Sequence, residues 1–416
     1  MYSMRKLLTY IVAFLACGCL AHGQEADAGR FLRGVSGYAQ GNYDIAAKMF
    51  SDLHAESPGD DAVSYYLGLS EFALGQIDSS EVHLQLAVSQ DSTNQWYLEA
   101  LASLYSAKGD RSAFAGVCER LLALKPSQYN NPYTLTVVGD EMMNRRDDAK
   151  ALEYYERALE IDPDYAPAEL GKLEILRFMG NFPPFFLTLD HFIRNGLVRD
   201  DIKSQYLGSL IDHMDSRFYW VWGEQLGKLV DLCYRQAPDD PGSNLLKLRM
   251  CIIENKQDSI LYMCCRLAEV AAKAGDKENQ VLALSTAGDM NYELGNAREA
   301  YRCYDAALEI DPDCTAVLNN YAYYLSEEGR SLRKALKMSR RTIELEPDNP
   351  TFLDTCGWIL HLLGRSEEAK PLFKHAMIYG GKDSAVVLEH YSEVLGALGE
   401  TELSKYYHSL AEQKRQ

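Results

Sequence analysis

The sequence holds no CxxC, no HExxH, no GxSxG, no P-loop and no GxGxxG. Those absences remove the common spacings of redox thiols, zinc hydrolases, serine hydrolases, nucleotide hydrolases and dinucleotide-binding enzymes. The nine histidines are scattered, with no pair at metal-ligand spacing. "DPD" at Asp162–Asp164 and at Asp311–Asp313 lacks the rest of an EF-hand loop. Neither a metal nor a cofactor is expected, and the chain reads as non-enzymatic. Basic residues are also scarce: 42 Lys and Arg stand against 60 Asp and Glu, a net charge of −18. Nucleic acid and anionic lipid need a positive surface and are disfavoured as partners. Basic or neutral partners remain. Beyond the first twenty residues, no apolar run reaches the ~20 residues of a membrane span.

The start of the chain has the marks of a secretory leader. Arg5 and Lys6 precede the apolar run "LLTYIVAFLACGCL" (Leu7–Leu20), and Ala21 and Gly23 place small residues before Gln24. A short positive region, a short apolar run and small residues at the cut form a signal peptide. Residues 1–23 are expected to be removed and the mature chain, 24–416, to be periplasmic. The alternative is a lipid anchor on Cys17 or Cys19. A lipoprotein box prefers Leu three residues before its cysteine, where this chain has Phe14 and Ala16. Eight further cysteines lie scattered along the chain, mostly at apolar helix positions, and their spacing nominates no disulfide.

What the sequence has in place of motifs is a period. "ALEYYERALEIDPDY" (Ala151–Tyr165) and "AYRCYDAALEIDPDC" (Ala300–Cys314) are nearly the same phrase, 149 residues apart. The spacing from Pro58 to Ser92 to Pro126 is 34 residues each time, and Pro347 to Gly381 is again 34. A 34-residue ruler with small insertions runs from residue 27 to the end, in about eleven units. Within one unit the pattern is helical: Leu284, Ala287, Gly288 and Asn291 recur at i, i+3, i+4 and i+7, as do Ala300, Tyr304, Ala307 and Leu308. Gly295 ends the first helix and Pro312 the second. Gly288, Ala300 and Ala307 are expected where the two helices cross, because a bulky side chain there would force them apart.

Small, aromatic and proline residues at these offsets resemble the tetratricopeptide repeat. The unit 281–314 carries the pattern at Gly288, Tyr292, Gly295, Ala300, Tyr304, Ala307 and Pro312. A second set is Gly357, Gly364, Ala369, Phe373 and Ala376, and the first unit has Gly34, Gly41, Tyr43, Ala46, Phe50 and Pro58. The resemblance implies an all-α, right-handed superhelical solenoid of antiparallel helix pairs. Regular units fill 24–165 and 281–416. Between them, 166–280 departs from the pattern and is expected to hold about three divergent helix pairs.

The same resemblance implies a protein or peptide bound in a concave groove lined by the first helix of each unit. The inner positions of the C-terminal units are Ser285, Asp289 and Tyr292; Asn319, Tyr323 and Ser326; and Asp354, Trp358 and His361. The partner site is placed on Asp289, Tyr292, Asn319, Tyr323, Asp354, Trp358 and His361, which mix aromatic with polar and acidic groups. These positions carry no Lys or Arg, which disfavours a clamp for a C-terminal carboxylate. The N-terminal counterparts are Tyr65, Leu69, Phe72, Trp96, Glu99 and Ser103. Core packing is expected for the aromatic run Phe218, Tyr219, Trp220, Trp222. The chain reads as an interaction scaffold of a bacterial envelope. The alternative is a small-ligand or glycan-binding protein that uses the aromatic centre.

Overall fold

The computed structural model describes residues 22–415. The leader cut falls at the edge of this range, and residues 1–21, with Cys17 and Cys19, lie outside it. Among the described residues there are 23 α-helices, one short 3-10 turn at Gly381–Asp383 and no strand. None of these helices is long and apolar enough to cross a membrane.

The chain divides after Leu197 into two compact units. The first holds five helix pairs: α1 (His22–Ala39) with α2 (Tyr43–Glu56), α3 (Asp61–Ala73) with α4 (Ile77–Gln90), and α5 (Gln95–Lys108) with α6 (Arg111–Leu124). After the one-turn α7 (Pro126–Tyr129) come α8 (Pro132–Asn144) with α9 (Asp148–Ile161), and α10 (Ala166–Phe178) with α11 (Phe182–Arg194). The second unit holds six: α12 (Asp200–Asp212) with α13 (Ser216–Gln236), α14 (Pro241–Ile253) with α15 (Gln257–Ala274), and α16 (Lys277–Glu293) with α17 (Ala297–Ile310). The last three are α18 (Thr315–Glu327) with α19 (Leu332–Leu345), α20 (Pro350–Leu362) with α21 (Ser366–Ile378), and α22 (Ala385–Ala397) with α23 (Thr401–Arg415). These eleven pairs match the number the ruler gives, and three of them span 166–280.

One contact repeats through the pairs. A glycine on the first helix lies against a large side chain sixteen residues later on the second. A Cβ at Gly34 would come within 2.7 Å of Phe50, one at Gly68 within 2.8 Å of Leu84, and one at Gly139 within 2.8 Å of Tyr155. At Gly288 it would meet Tyr304 at 2.4 Å, and at Gly357 it would meet Phe373 at 2.6 Å. All five large side chains are fully buried. Ala300 and Ala307 are also fully buried, beside Tyr304 in one cluster. Close helix approach, fixed by the missing side chain, is what the glycines contribute. Gly295 has a second glycine role: it turns α16 into α17 at φ +77°, in the left-handed region.

Where the ring is a tyrosine, it also needs a partner for its hydroxyl. Tyr155 donates to Asp140 Oδ1 at 2.7 Å, and Tyr304 donates to Asp289 Oδ1. Both aspartates directly follow the glycine. The doubled phrase therefore supplies the second-helix half of one packed and hydrogen-bonded crossing, built twice.

The aromatic run of the centre departs from its expected place in the core. Trp220 is 86% exposed, and Phe218, Tyr219 and Trp222 are only half-buried. The reason is length. Helix α13 has 21 residues, whereas α12 and α14 have 13 each. Its fully buried residues begin at Gly223, so the aromatic run lies in the turns ahead of that buried stretch.

Candidate binding face of the second unit

The first helices α16, α18, α20 and α22 pack side by side in sequence order. Away from their ends, α18 and α20 show solvent few side chains: Asn320, Tyr323, Tyr324, Trp358 and His361. The charge on this layer has one sign. Helices α18, α20 and α22 contain no Lys or Arg, and α16 contains only Lys277, at its first residue. The cations sit on the second helices instead, as with Arg333, Lys334, Lys337, Arg340 and Arg341 of α19.

The inner positions divide into two groups. Asp289, Tyr292, Tyr323, Trp358 and His361 are half-buried and reach the face. Asn319 and Asp354 are buried, at 6% and 5% exposed. Neighbouring helices account for their surroundings. Asp354 Oδ1 lies 2.9 Å from Nδ1 of His390 on α22, a side chain that the spacing does not single out because it falls between inner positions. Asn319 contacts Asn320 at 3.5 Å, and Asn320 Nδ2 donates to Asp289 Oδ1 at 3.2 Å. Tyr304, Asp289, Asn320 and Asn319 thus form one polar chain across two helix pairs.

Two aromatic groups flank this chain. Tyr292 of α16 stacks on Tyr324 of α18, with centroids 3.8 Å apart, and Tyr323 lies 5.7 Å from Tyr324. The Trp358 indole stacks with two imidazoles, His390 at 4.1 Å and 12° and His361 at 5.3 Å and 26°. His361 in turn lies within hydrogen-bond distance of Ser366, at 2.9 Å. Burial and the neighbouring His390 push the His361 pKa down, against the pull of Glu393.

Burial pushes the Asp289 pKa up, and the hydrogen bonds from Tyr304 and Asn320 oppose that shift only in part. A carboxyl raised in the folded state is favoured in its protonated form. Its contribution to stability is present below its unfolded pKa and is lost as the pH rises through the folded one. At neutral pH the ionised Asp289 therefore costs stability. Asp289→Asn keeps an acceptor for Tyr304 and should raise the melting temperature at pH 7.5. The gain should shrink as the pH falls toward the carboxylate range. A lower melting temperature at pH 7.5 would show that the charge is compensated.

The N-terminal counterparts mostly pack between helix pairs. Tyr65 lies 4.7 Å from Tyr97, and Leu69 and Phe72 pack on the same cluster. Glu99 accepts from Tyr129 and Gln95. Ser103 is exposed, but its hydroxyl turns back onto the Glu99 carbonyl. Trp96, at 48% exposed, is the large apolar side chain of that stripe that opens to solvent. No three His, Cys, Asp or Glu side chains among the described residues are grouped to hold a metal ion.

Comparisons with known proteins fall on the repeat. Among solved structures, the chain is 11% identical to one in the crystal structure of the APC/C hetero-tetramer Cut9-Hcn1. That alignment covers 91% of this chain and 85% of the other, with a TM-score of 0.41. It is 13% identical to one in the structure of Naa15/Naa10 bound to HypK-THB, covering 92% and 75%, with a TM-score of 0.33. Residues 31–94 match one model of the tetratricopeptide repeat, and residues 139–165 and 282–314 match another. The five glycine crossings keep one register through and beyond these stretches. This chain carries tetratricopeptide repeats.

Proposed function

We propose that the protein is a non-enzymatic interaction scaffold that holds a segment of a partner protein against the first-helix face of its second unit. The observation that carries this is the row Tyr292, Tyr323, Trp358 and His361. These large rings remain half-exposed, and on α18 and α20 most other side chains between the helix ends are buried. Held aromatic rings on a rigid layer supply contact area at little entropic cost. The layer carries acid and almost no base, so the segment is basic or neutral, with apolar anchors. In-cell photo-crosslinking from Tyr323, with mass spectrometry of the captured protein, tests the reading. A crosslinker at an exposed second-helix position such as Arg333 should capture nothing equivalent. Equal capture from both positions would sink it.

The site of action we infer is a bacterial cell envelope, reached through the leader at residues 1–23. Mass-spectrometric reading of the N-terminus of the protein from its native cells should find Gln24. A lipid on Cys17 or Cys19 would replace this with the anchored alternative.

The exposed Trp220 favours a second reading, in which the aromatic start of α13 holds a small ligand such as a glycan. Titration with glycan fragments should then change tryptophan emission in the parent protein but not in Trp220→Ala.

A further inference from the structure

The binding face has a surplus of hydrogen-bond acceptors and a deficit of donors. Asp289 is partly buried, with Oδ1 occupied by Tyr304 and Asn320, and the interactions that act on it include no cation. Asn319, more than nine-tenths buried at the end of the same polar chain, leaves its Oδ1 without a hydrogen-bond partner. Glu293 and Glu327 are exposed at the ends of α16 and α18, and neither makes an ion pair among the described residues. Between these acceptors lies the Tyr292–Tyr324 stack. A buried acceptor left unmatched costs about 1–3 kcal/mol, and carboxylates gathered on one face repel each other. One occupant answers the reachable carboxylates and the rings together. It is planar, positively charged, rich in donors and content to lie on an aromatic ring.

We propose that this part of the face receives an arginine side chain of the partner segment, its guanidinium against the tyrosine stack and directed to Asp289, Glu293 and Glu327. The inference rests on the scaffold reading above and names the partner chemistry at that site. Arginine fits better than lysine. Its guanidinium carries five donors in a flat fork, stacks on aromatic faces and gives up water more readily than an ammonium does. Lysine offers a compact charge with three donors and no plane to stack.

The test uses the full-length protein and a fluorescein-labelled peptide, acetyl-Leu-Arg-Leu-Arg-Leu-amide. Two controls carry citrulline or lysine at both arginine positions. Citrulline keeps the shape and removes the charge. The arginine peptide should bind at least tenfold more tightly than the citrulline peptide, which corresponds to about 1.4 kcal/mol, with the lysine peptide between them. In Glu293→Gln/Glu327→Gln, with helical circular dichroism unchanged, the arginine and citrulline peptides should come close to equality. Equal binding of all three peptides to the parent, lost in Trp358→Ala, would overturn the arginine assignment and leave the scaffold reading standing. An arginine preference that survives the double substitution also overturns it. If no peptide binds, the assignment falls, and crosslinking from Tyr323 decides the scaffold reading separately.

Discussion

Replacing Tyr304 with alanine should destabilise the second unit by about 3–5 kcal/mol, the range for removing a fully buried aromatic ring. The ring is completely buried and packs with Tyr321 at 5.3 Å. Its hydroxyl also supplies one of the two donors to Asp289 Oδ1. The crossing can be read separately from the ring. In the parent protein, Gly288→Ala would drive a Cβ to 2.4 Å from Tyr304 Cε1, on a ring that is fully buried. Overpacking of this kind costs about 1–3 kcal/mol. In the Tyr304→Ala background the obstacle is gone. The same Gly288→Ala change should then stabilise α16, because alanine is favoured over glycine in a helix by about 1 kcal/mol. The sign should therefore reverse between the two backgrounds, measured by denaturant unfolding followed by far-ultraviolet circular dichroism. A Gly288→Ala change with the same sign and size in both would mean that the ring and the glycine do not meet. Tyr304→Phe isolates the hydroxyl, and its smaller loss should shrink but persist once Asp289 is also asparagine, whose amide oxygen still accepts.

How much of this was legible in the sequence depends on whether a feature belongs to one helix pair or to two. The crossing of α16 and α17 belongs to one pair, so its glycine, its alanines and its tyrosine stand at offsets that a single unit displays. The tyrosine hydroxyl's partner was legible in the same way, because Asp140 and Asp289 sit at the same place in their units. In the centre the same two places are still buried but carry other residues. Leu248 occupies the place of Gly288 and Cys264 that of Tyr304, both buried in one cluster. Leu207 and the buried Gly223 keep the same sixteen-residue spacing. At both places the small-then-large signature is inverted, so a pattern search loses the repeat although the helix pairs remain. Features that join two pairs are not written in a 34-residue period. His390 against Asp354 and Trp358, and Asn320 against Asp289, depend on the angle between successive pairs. That angle decides which inner positions a neighbour covers. It is why Asn319 and Asp354 lie beneath the face that Tyr323 and Trp358 reach.

Trp358→Ala should weaken capture of the partner by tenfold or more, at least about 1.4 kcal/mol, while the protein stays folded. The indole is half-exposed, so a partner can reach it. It also stacks with two imidazoles, those of His390 and His361. A ring already fixed in place loses little freedom on binding, and tryptophans placed this way dominate contact energies. Its N–H is covered and has no hydrogen-bond partner, so the stack rather than a polar contact holds it. Folding should survive the loss, because the buried face of α20 is made by Phe352, Leu353, Cys356, Ile359 and Leu360, and the crossing of Gly357 with Phe373 is untouched. Unfolding of the α20 region in Trp358→Ala would assign the ring to the core. A folded variant with undiminished capture would move the partner to another surface, and the exposed Trp220 of α13 would be the next to substitute. Trp358→Phe separates area from position. Phenylalanine keeps a flat ring to stack with the two imidazoles, so it should retain most of the capture if stacking holds the site together. If the reach of the larger indole makes the contact, it should behave like alanine.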